Sequence, residues 1–417
     1  MRKQELTETS AEIEEEKLGA EKKESVLIRW IGGVDRPFLF LLLILLAIGT
    51  VMVFTASYSF AQTRYGDSYY FSKKQIEFVI GGLAVMALVI HFTPYLLEKF
   101  IKKLIWLFYL LALAINVLVI FIGTTRGGAQ RWIEIGGILF QPSEILKLAT
   151  ILVCAKIISN NGDKMKTIRF GVLPFALIAF AGSAILIKQG HISATIINFV
   201  IILGMMMIGG CSRWIVGGAG VIAAGAAYVV AFPEKILQLE WLQKLMGHKY
   251  YRLLVWNDPF KYMRDDATGW AGWQPSQSLY AISSGGVWGV GLGQSMEKHG
   301  YLPEPQNDYI FAILCEEFGF VGAVAVIGLF AALILRGFYI ARNCRDKFCQ
   351  MVIYGMMVKL GMQVVFNIGV VTNTLPSTGI SLPFFSYGGT ALIISLVEMG
   401  LILALSRFSY TERGEED

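Results

Sequence analysis

An all-α membrane protein of about ten transmembrane helices, with one large extracellular loop, is the fold this sequence predicts, and three observations carry that reading. Only 16% of the 417 residues are charged and 55% are hydrophobic, whereas a soluble domain carries about 25% charged residues. Mean hydropathy is +0.57, and apolar runs near the ~20 residues needed to cross a bilayer recur along the chain. Lys and Arg are also spread unequally between alternate connections. The net charge of +5 is modest and does not call for a nucleic-acid partner.

Residues 1–36 come first. MRKQELTETSAEIEEEKLGAEKKES mixes Glu with Lys and lacks aromatics, as expected of a disordered cytoplasmic tail rather than a cleavable signal. The membrane domain is expected over 37–408, with spans near 38–58, 75–93, 101–122, 143–159, 170–187, 192–210, 213–232, 308–335, 349–371 and 388–406. A short cytoplasmic tail, 409–417, closes the chain. With the N-terminus inside, the inner connections hold Arg29, Arg36, Lys99, Lys102, Lys103, Lys164, Lys166, Arg169, Arg213, Arg342, Arg345 and Lys347. The outer ones hold fewer cations, chiefly Arg64, Arg126, Arg131 and Lys188, with Lys73 and Lys74 at a boundary. Both termini are therefore expected in the cytoplasm.

Cys211, Cys344 and Cys349 fall on the inner side, while Cys154 and Cys315 lie within spans. No CxxC or Cys/His ligand spacing occurs, so neither disulfides nor zinc are expected.

This topology leaves one long outer region, about 233–307. In EKILQLEWLQKLMGHKYYRLLVW, Ile236, Leu239, Trp241, Leu242, Leu245 and Met246 recur at near-helical spacing, as in a helix lying in the interface. WNDPF, TGWAGWQPSQ and SSGGVWGVGLGQS follow without another membrane-length run, and a loop this long is usually functional. It ends in YLPEPQNDYIFAILCEEFG, 301–319. Pro303 and Pro305 keep its start out of a helix, so Asp308 is placed near the first turn of the next span. A carboxylate there is favoured by the helix dipole; it reads equally as a helix cap or as a reactive group. At 100° per residue Glu316 and Glu317 lie about 80° and 180° round that helix from Asp308 and ~12 Å deeper, so they read as bundle-facing structural residues.

Three blocks carry a family resemblance. They are GGAQRWIEIGGILFQPSEILKL at 127–148, WNDPF with GWQPSQSLYAISSGGVWGVGLGQSMEKHGYLPEPQNDYIFAILCEEFG at 256–319, and NIGVVTNTLPSTGISLPFFSYGGTALI at 367–393. With these the chain resembles the SEDS family of shape, elongation, division and sporulation proteins (FtsW, RodA, SpoVE). Ser381, where the elongation branch tends to carry Pro, favours the division and sporulation branch. The resemblance implies a peptidoglycan glycosyltransferase polymerising lipid II, an undecaprenyl-pyrophosphate disaccharide-peptide, at the outer face of the bacterial cytoplasmic membrane. It makes Asp308 the catalytic carboxylate and implies a class B penicillin-binding protein as partner, beside other divisome or elongasome membrane proteins. One carboxylate suits the chemistry. The attacking GlcNAc 4-hydroxyl must lose a proton, whereas pyrophosphate leaves as a stable anion and needs no paired acid, unlike the leaving group of a glycosidase.

The diphosphate requires cationic groups or a divalent cation, Mg or Mn; which metal, if any, is unknown from the sequence. Gln141-Pro142-Ser143-Glu144 reads as a helix start, with Lys147 one turn on from Glu144. The two are either a self-neutralising pair or, as the resemblance implies, part of the substrate cavity. Arg131 suits phosphate and Trp132 suits a sugar or the interface. Gln274, Ser278 and Gly285-Gly286 suit either sugar hydroxyls or turn chemistry, and the resemblance adds Glu304 and Ser386 to the cavity. The connection 372–388 holds no Lys or Arg, and its Pro376, Pro383 and Gly388-Gly389 imply a rigid re-entrant or surface turn. Gln363 and Asn367 read as interhelical hydrogen-bonding residues.

Lys359 and Glu398 each lie about ten residues into their spans, ~15 Å deep and so near the midplane. Charges there demand partners, and the two are expected to pair. Where many relatives carry Q-P-D-x-G-T, this chain has Lys188-Gln189-Gly190-His191-Ile192-Ser193, so no role of that acid carries over; His191 reads as a polar helix start. A lipid II flippase, or a non-enzymatic cell-wall assembly scaffold, remains the alternative to an enzyme. Intramembrane charges suit a transporter, but no paired internal repeat is seen.

Overall fold

The computed structural model describes residues 33–96, 102–126, 129–136, 138–212, 217–218, 248–264 and 270–407. Outside them lie most of the expected span at 213–232, the expected interfacial helix at 236–246, the N-terminal tail to residue 32 and the tail 409–417.

Helix α1 (Arg36–Tyr65) starts where the Asp35 side chain accepts from the Phe38 amide at 2.8 Å, and stops at Gly66 in the left-handed region (φ 70°). Next come α2 (Tyr70–Leu96) and α3 (Lys102–Ile122). A three-stranded antiparallel sheet follows, β1 (Thr124–Arg126), β2 (Ala129–Ile135) and β3 (Ile138–Phe140), with Trp132 opposite Thr124 and Ile133 opposite Phe140. From the sequence this stretch reads as a plain connection: Trp132, Ile133, Ile135, Ile138 and Phe140 are strand formers, but Gly and charged residues interrupt any alternation.

Helix α4 (Pro142–Asn161) opens with Pro and carries Glu144 in its first turn. After it come α5 (Ile168–Lys188) and α6 (Ile192–Ile208). The long connection expected as loop contains two helices, α7 (His248–Asn257) and α8 (Trp273–Gly285). Then α9 (Ile310–Arg342), α10 (Lys347–Val371) and α11 (Gly389–Ser406) complete the chain.

Among the described residues seven helices are long and apolar enough to cross a membrane: α1, α2, α3, α5, α9, α10 and α11. Helix α6 is shorter, at 17 residues. Helix α4 is 20 residues long but carries a Glu and two Lys, and most of it is buried. It is the central post, packed by α3, α6 and α10, while α11 lies along α2. At Gly400 the approach of α11 to α2 is so close that a Cβ would stand 3.0 Å from Met86 Cγ.

Two features shape the site. Gly319 (φ 65°, ψ −166°) breaks α9 into 310–318 and 320–342, and the second piece alone rises ~34 Å, enough to cross a ~30 Å core. The connection 372–388 dips into the bundle. Phe384 and Phe385 lie against Phe330 of α9 at 6.3 and 5.6 Å between ring centroids, and the Phe384 carbonyl rests on Gly49 of α1. Phe330 is twelve residues from Arg342, ~18 Å by helical rise, so the connection is re-entrant. The end of the bundle that carries it, the sheet, α7 and α8 is called the loop face below. The opposite end is closed by Arg336, which clasps Asp35 (2.7 Å), and by Lys102, which pairs with Asp346 (2.6 Å).

Candidate active site

Asp308 stands just outside α9, two residues before its first residue Ile310, and Tyr309 takes the N-cap position. The carboxylate is therefore not in the first turn, as the sequence suggested, but on the loop leading in. Asn367, near the loop-face end of α10, fixes its backbone. Its Nδ2 donates to the carbonyls of Asp308 and Ile380, both at 2.7 Å, so one buried amide joins the α9 entry to the re-entrant connection.

Gly379 of that connection lies between two charged side chains. A Cβ on it would be 3.2 Å from Asp308 Oδ2 and 3.9 Å from Arg131 Nη1, and its φ of +72° is one that side-chain-bearing residues rarely adopt. Strand β2 delivers Arg131, whose guanidinium lies 5.1 Å from the ring of Trp132. Its Nε is buried and has no hydrogen-bond partner. A second cation, Arg252 of α7, donates to the Ser377 carbonyl at 3.3 Å. Helix α7 is held there by a reciprocal pair, Trp256 Nε1 to the Asn373 carbonyl (3.0 Å) and Asn373 Nδ2 to the Trp256 carbonyl (3.1 Å).

These charges feel one another. Burial pushes the Asp308 carboxyl above the ordinary carboxylate range, Arg131 and Arg252 pull it down, and Glu304 pushes it up. Burial likewise lowers the Arg131 guanidinium, as does Arg252, against the favourable effect of Asp308. The site is a half-buried carboxylate between two guanidiniums, one of them with an unused donor.

The other sequence candidates fall into two groups. Gln274 donates to the Pro303 carbonyl (3.2 Å) and Ser278 to the Val371 carbonyl (2.7 Å), so both tie α8 to its neighbours. Ser386 accepts from the Leu382 amide (2.8 Å) inside the re-entrant turn. Glu304 (φ 45°) makes a tight turn with Asn307. None of these four turns its polar group toward Asp308 through a contact described here, although Glu304 is close enough to act on it electrostatically.

Glu144 and Lys147 form the second group. Lys147 bonds Glu144 at 2.5 Å, Glu144 reaches Lys359 at 3.2 Å, and Lys359 bonds Glu398 at 2.6 Å, with all four side chains buried. This chain of two cations and two anions is neutral and crosses from α4 through α10 to α11. Lys147 is thus bonded to Glu144 inside the bundle. His191 sits at the start of α6 with Nε2 3.5 Å from Gln141 Nε2 and a buried, unpartnered Nδ1.

Glu316 and Glu317 do not approach Asp308. Glu316 accepts from Ser295 Oγ (2.5 Å) and the Met296 amide (2.8 Å), and Glu317 pairs with Lys298 (3.0 Å). Sequence reasoning missed Lys298, Arg252 and the anchoring role of Asn367. Arg252 was hidden in a run read only for its apolar spacing. The fixed point of Asn367 is a backbone carbonyl, which has no signature in the sequence.

Among the described residues no three His, Cys, Asp or Glu side chains converge as a metal site would require. Among the described residues, Asp308 and Glu304 are the carboxylates that act on one another at this position.

A helical membrane bundle with a re-entrant connection, and one carboxylate between arginines at its loop face, is the class of protein defined so far. The chain belongs to the FtsW/RodA/SpoVE family, described as cell cycle proteins, whose model matches residues 36–411. It is 35% identical over 381 residues to stage V sporulation protein E of Bacillus subtilis, covering 90% of this chain and 97% of that one. To the probable peptidoglycan glycosyltransferase FtsW of the same organism it is 34% identical over 391 residues, 93% and 94% of the two chains. The fold matches a chain of a structure described as "Structural coordination of polymerization and crosslinking by a peptidoglycan synthase complex" (TM-score 0.69, 23% identity, 90% and 98% covered). It also matches the rod shape determining protein RodA of Thermus thermophilus (TM-score 0.60, 23% identity, the same coverage).

Proposed function

We propose that this protein is a peptidoglycan glycosyltransferase that polymerises lipid II, with the loop face outside the cytoplasmic membrane, both termini inside and Asp308 as the base. The observation that carries the reading is the convergence of Asp308 and Arg131 at Gly379, with Arg252 on the nearby Ser377 carbonyl and acting on the same carboxylate. The 4-hydroxyl oxygen of the acceptor sugar attacks the anomeric carbon of the lipid-linked donor from the face opposite its diphosphate. As the new C–O bond forms, the bond from carbon to phosphate oxygen breaks, the hydroxyl proton passes to Asp308, and undecaprenyl pyrophosphate departs with the electron pair. The configuration inverts.

The groups at this site suit each part. A carboxyl whose pKa is raised by burial is a stronger base than an exposed one, and the two guanidiniums favour its ionised form. The unpartnered Arg131 Nε and the exposed Arg252 supply donors for diphosphate oxygens, which guanidinium recognises through paired hydrogen bonds. No step is routed through a metal; a divalent cation would enter with the diphosphate. No S-x-x-K followed by K-T-G set occurs in the sequence, so cross-linking falls to a partner, a class B penicillin-binding protein.

The test is polymerisation of purified lipid II by this protein with that partner, comparing wild type with Asp308→Asn. Strands from wild type and none from an equally folded variant support the assignment. Equal product from both removes Asp308 from the mechanism, and lipid II translocation without polymerisation would replace the enzyme by a flippase.

A further inference from the structure

The segment 286–292 carries an exposed apolar surface that the reaction does not use. In GVWGVGL, Val287, Trp288, Val290 and Leu292 are exposed, Trp288 to 80%, and the segment contains no charge. It is nevertheless held firmly. The Val290 and Gly291 amides donate to the carbonyls of Glu316 and Glu317 at 2.9 and 3.0 Å. The Phe320 and Val321 amides donate back to Gly286 and Val287 at 2.9 and 3.1 Å. The break at Gly319 frees those helical groups, and the loop satisfies them.

Its height in the membrane follows from the helices. From Gly319 to Arg336, the next charge along α9, is seventeen residues, ~25 Å by helical rise and close to a hydrocarbon core of ~30 Å. The exposed residues of α9 in that interval, among them Phe320, Val321, Val324 and Ile327, are apolar. Immediately on the other side of Gly319 the charges begin, with Glu316 and Glu317 satisfied by Ser295 and Lys298. Asn367, bonded to the Asp308 carbonyl, stands twenty residues above Lys347, ~30 Å, so Asp308 and Gly319 lie at similar heights.

We infer that segment 286–292 is a lipid-inserted wedge, seated at the boundary of headgroups and acyl chains in the loop-face leaflet. Its occupant is bilayer lipid, because the patch continues the lipid-facing row of α9 without a polar gap. An exposed Trp at the level where charges resume is the side chain that settles at this boundary. The wedge rests on the reading of the protein as membrane-spanning. By fixing the bend of α9 at the surface, it holds the 310–318 segment and Asp308 at headgroup height, where the diphosphate of a lipid-linked substrate lies.

The experiment uses the full chain with single cysteines bearing an environment-sensitive fluorophore at Trp288, Val324 or Gln294, the five native cysteines all being buried. The protein is placed in phosphatidylcholine/phosphatidylglycerol vesicles containing lipids with nitroxide on the headgroup or on carbon 5 or 12 of an acyl chain. Iodide serves as the aqueous quencher. The wedge predicts that a Trp288 label is quenched by headgroup and carbon-5 nitroxides at least about two-fold more than by iodide, while a Gln294 label shows the reverse. If Val324 is quenched by carbon-12 nitroxide but Trp288 responds to iodide alone, the wedge is wrong and the membrane reading stands. If Val324 also escapes lipid quenching, the membrane reading itself fails. Burial of Trp288 from lipid and iodide alike, appearing only when a single-span penicillin-binding protein is added, would assign the patch to a protein partner and overturn the proposal. Since Trp288 is exposed, its replacement leaves the core intact; a monodisperse chromatographic profile checks this.

Discussion

At Asp308 three influences on one carboxylate can be separated by pH. The base works only when ionised, so activity falls as pH drops through its pKa. Burial raises that pKa above the ordinary range near 4, whereas Arg131 and Arg252 lower it. Replacing Arg131 by Gln removes a group that favours the anion. The acid limb of kcat/KM for strand formation should then move upward. Arg252→Gln should act mainly on lipid II affinity, raising KM several-fold, since its side chain is exposed and, among the described residues, donates to the Ser377 carbonyl. Asn367→Ala removes two bonds of about 1 kcal/mol each. It should lower kcat while the protein stays folded, with partial recovery in Asn367→Ser.

Among the elements, the loop after α8 makes a strict steric demand. A Cβ on Gly289 would collide with the Glu317 carbonyl, and its φ of +80° is unsuited to other residues. Gly289→Ala should therefore destabilise the protein by about 2–3 kcal/mol, visible as a lowered Tm in detergent. Gly300→Ala, also at positive φ but in open space, should cost less. Seven of the ten expected spans were legible because each is long and apolar; α4 carries charges, α6 is short, and the span expected at 213–232 lies mostly outside the described residues. The strands at 124–140 were not legible, since two have three residues and the seven-residue one, AQRWIEI, lacks a clean alternation, and α8 was obscured by its Pro and four Ser. At the site, Arg131 and Trp132 stand out by residue type and position, whereas Asp308 is set apart from a helix cap only by the family resemblance. That Gln274, Ser278 and Ser386 hold backbone carbonyls and amides could not be read from the sequence, because hydroxyl and amide groups serve either purpose.

For the whole molecule, the buried charge chain fastens α4, α10 and α11. Its balance of two cations and two anions means that removing one member strands another. Glu398→Gln should cost about 3 kcal/mol or more, and replacing Lys359 and Glu398 together by Met should cost less than the sum of the singles. A charge swap of that pair is a poor probe, because Glu at 359 would face Glu144, which already lies 3.2 Å from the Lys359 ammonium.

The clasp at the face opposite the site bears on how the protein is made. Asp35 caps the first helix, takes Arg336 on its carboxylate, and donates its own amide to the Ser406 hydroxyl at 3.1 Å. One residue thus gathers the beginning of α1, the distant half of α9 and the last residue of α11, across a sequence separation of 371. During synthesis α1 and α2 enter the membrane first, yet the helix that lies along α2 is made last. Until then the ring of helices stands open, with the Asp35 amide lacking its acceptor and α2 lacking its neighbour. Assembly therefore ends with a closing step, and a nascent chain halted before Gly389 should remain a substrate for membrane proteases that the finished protein resists.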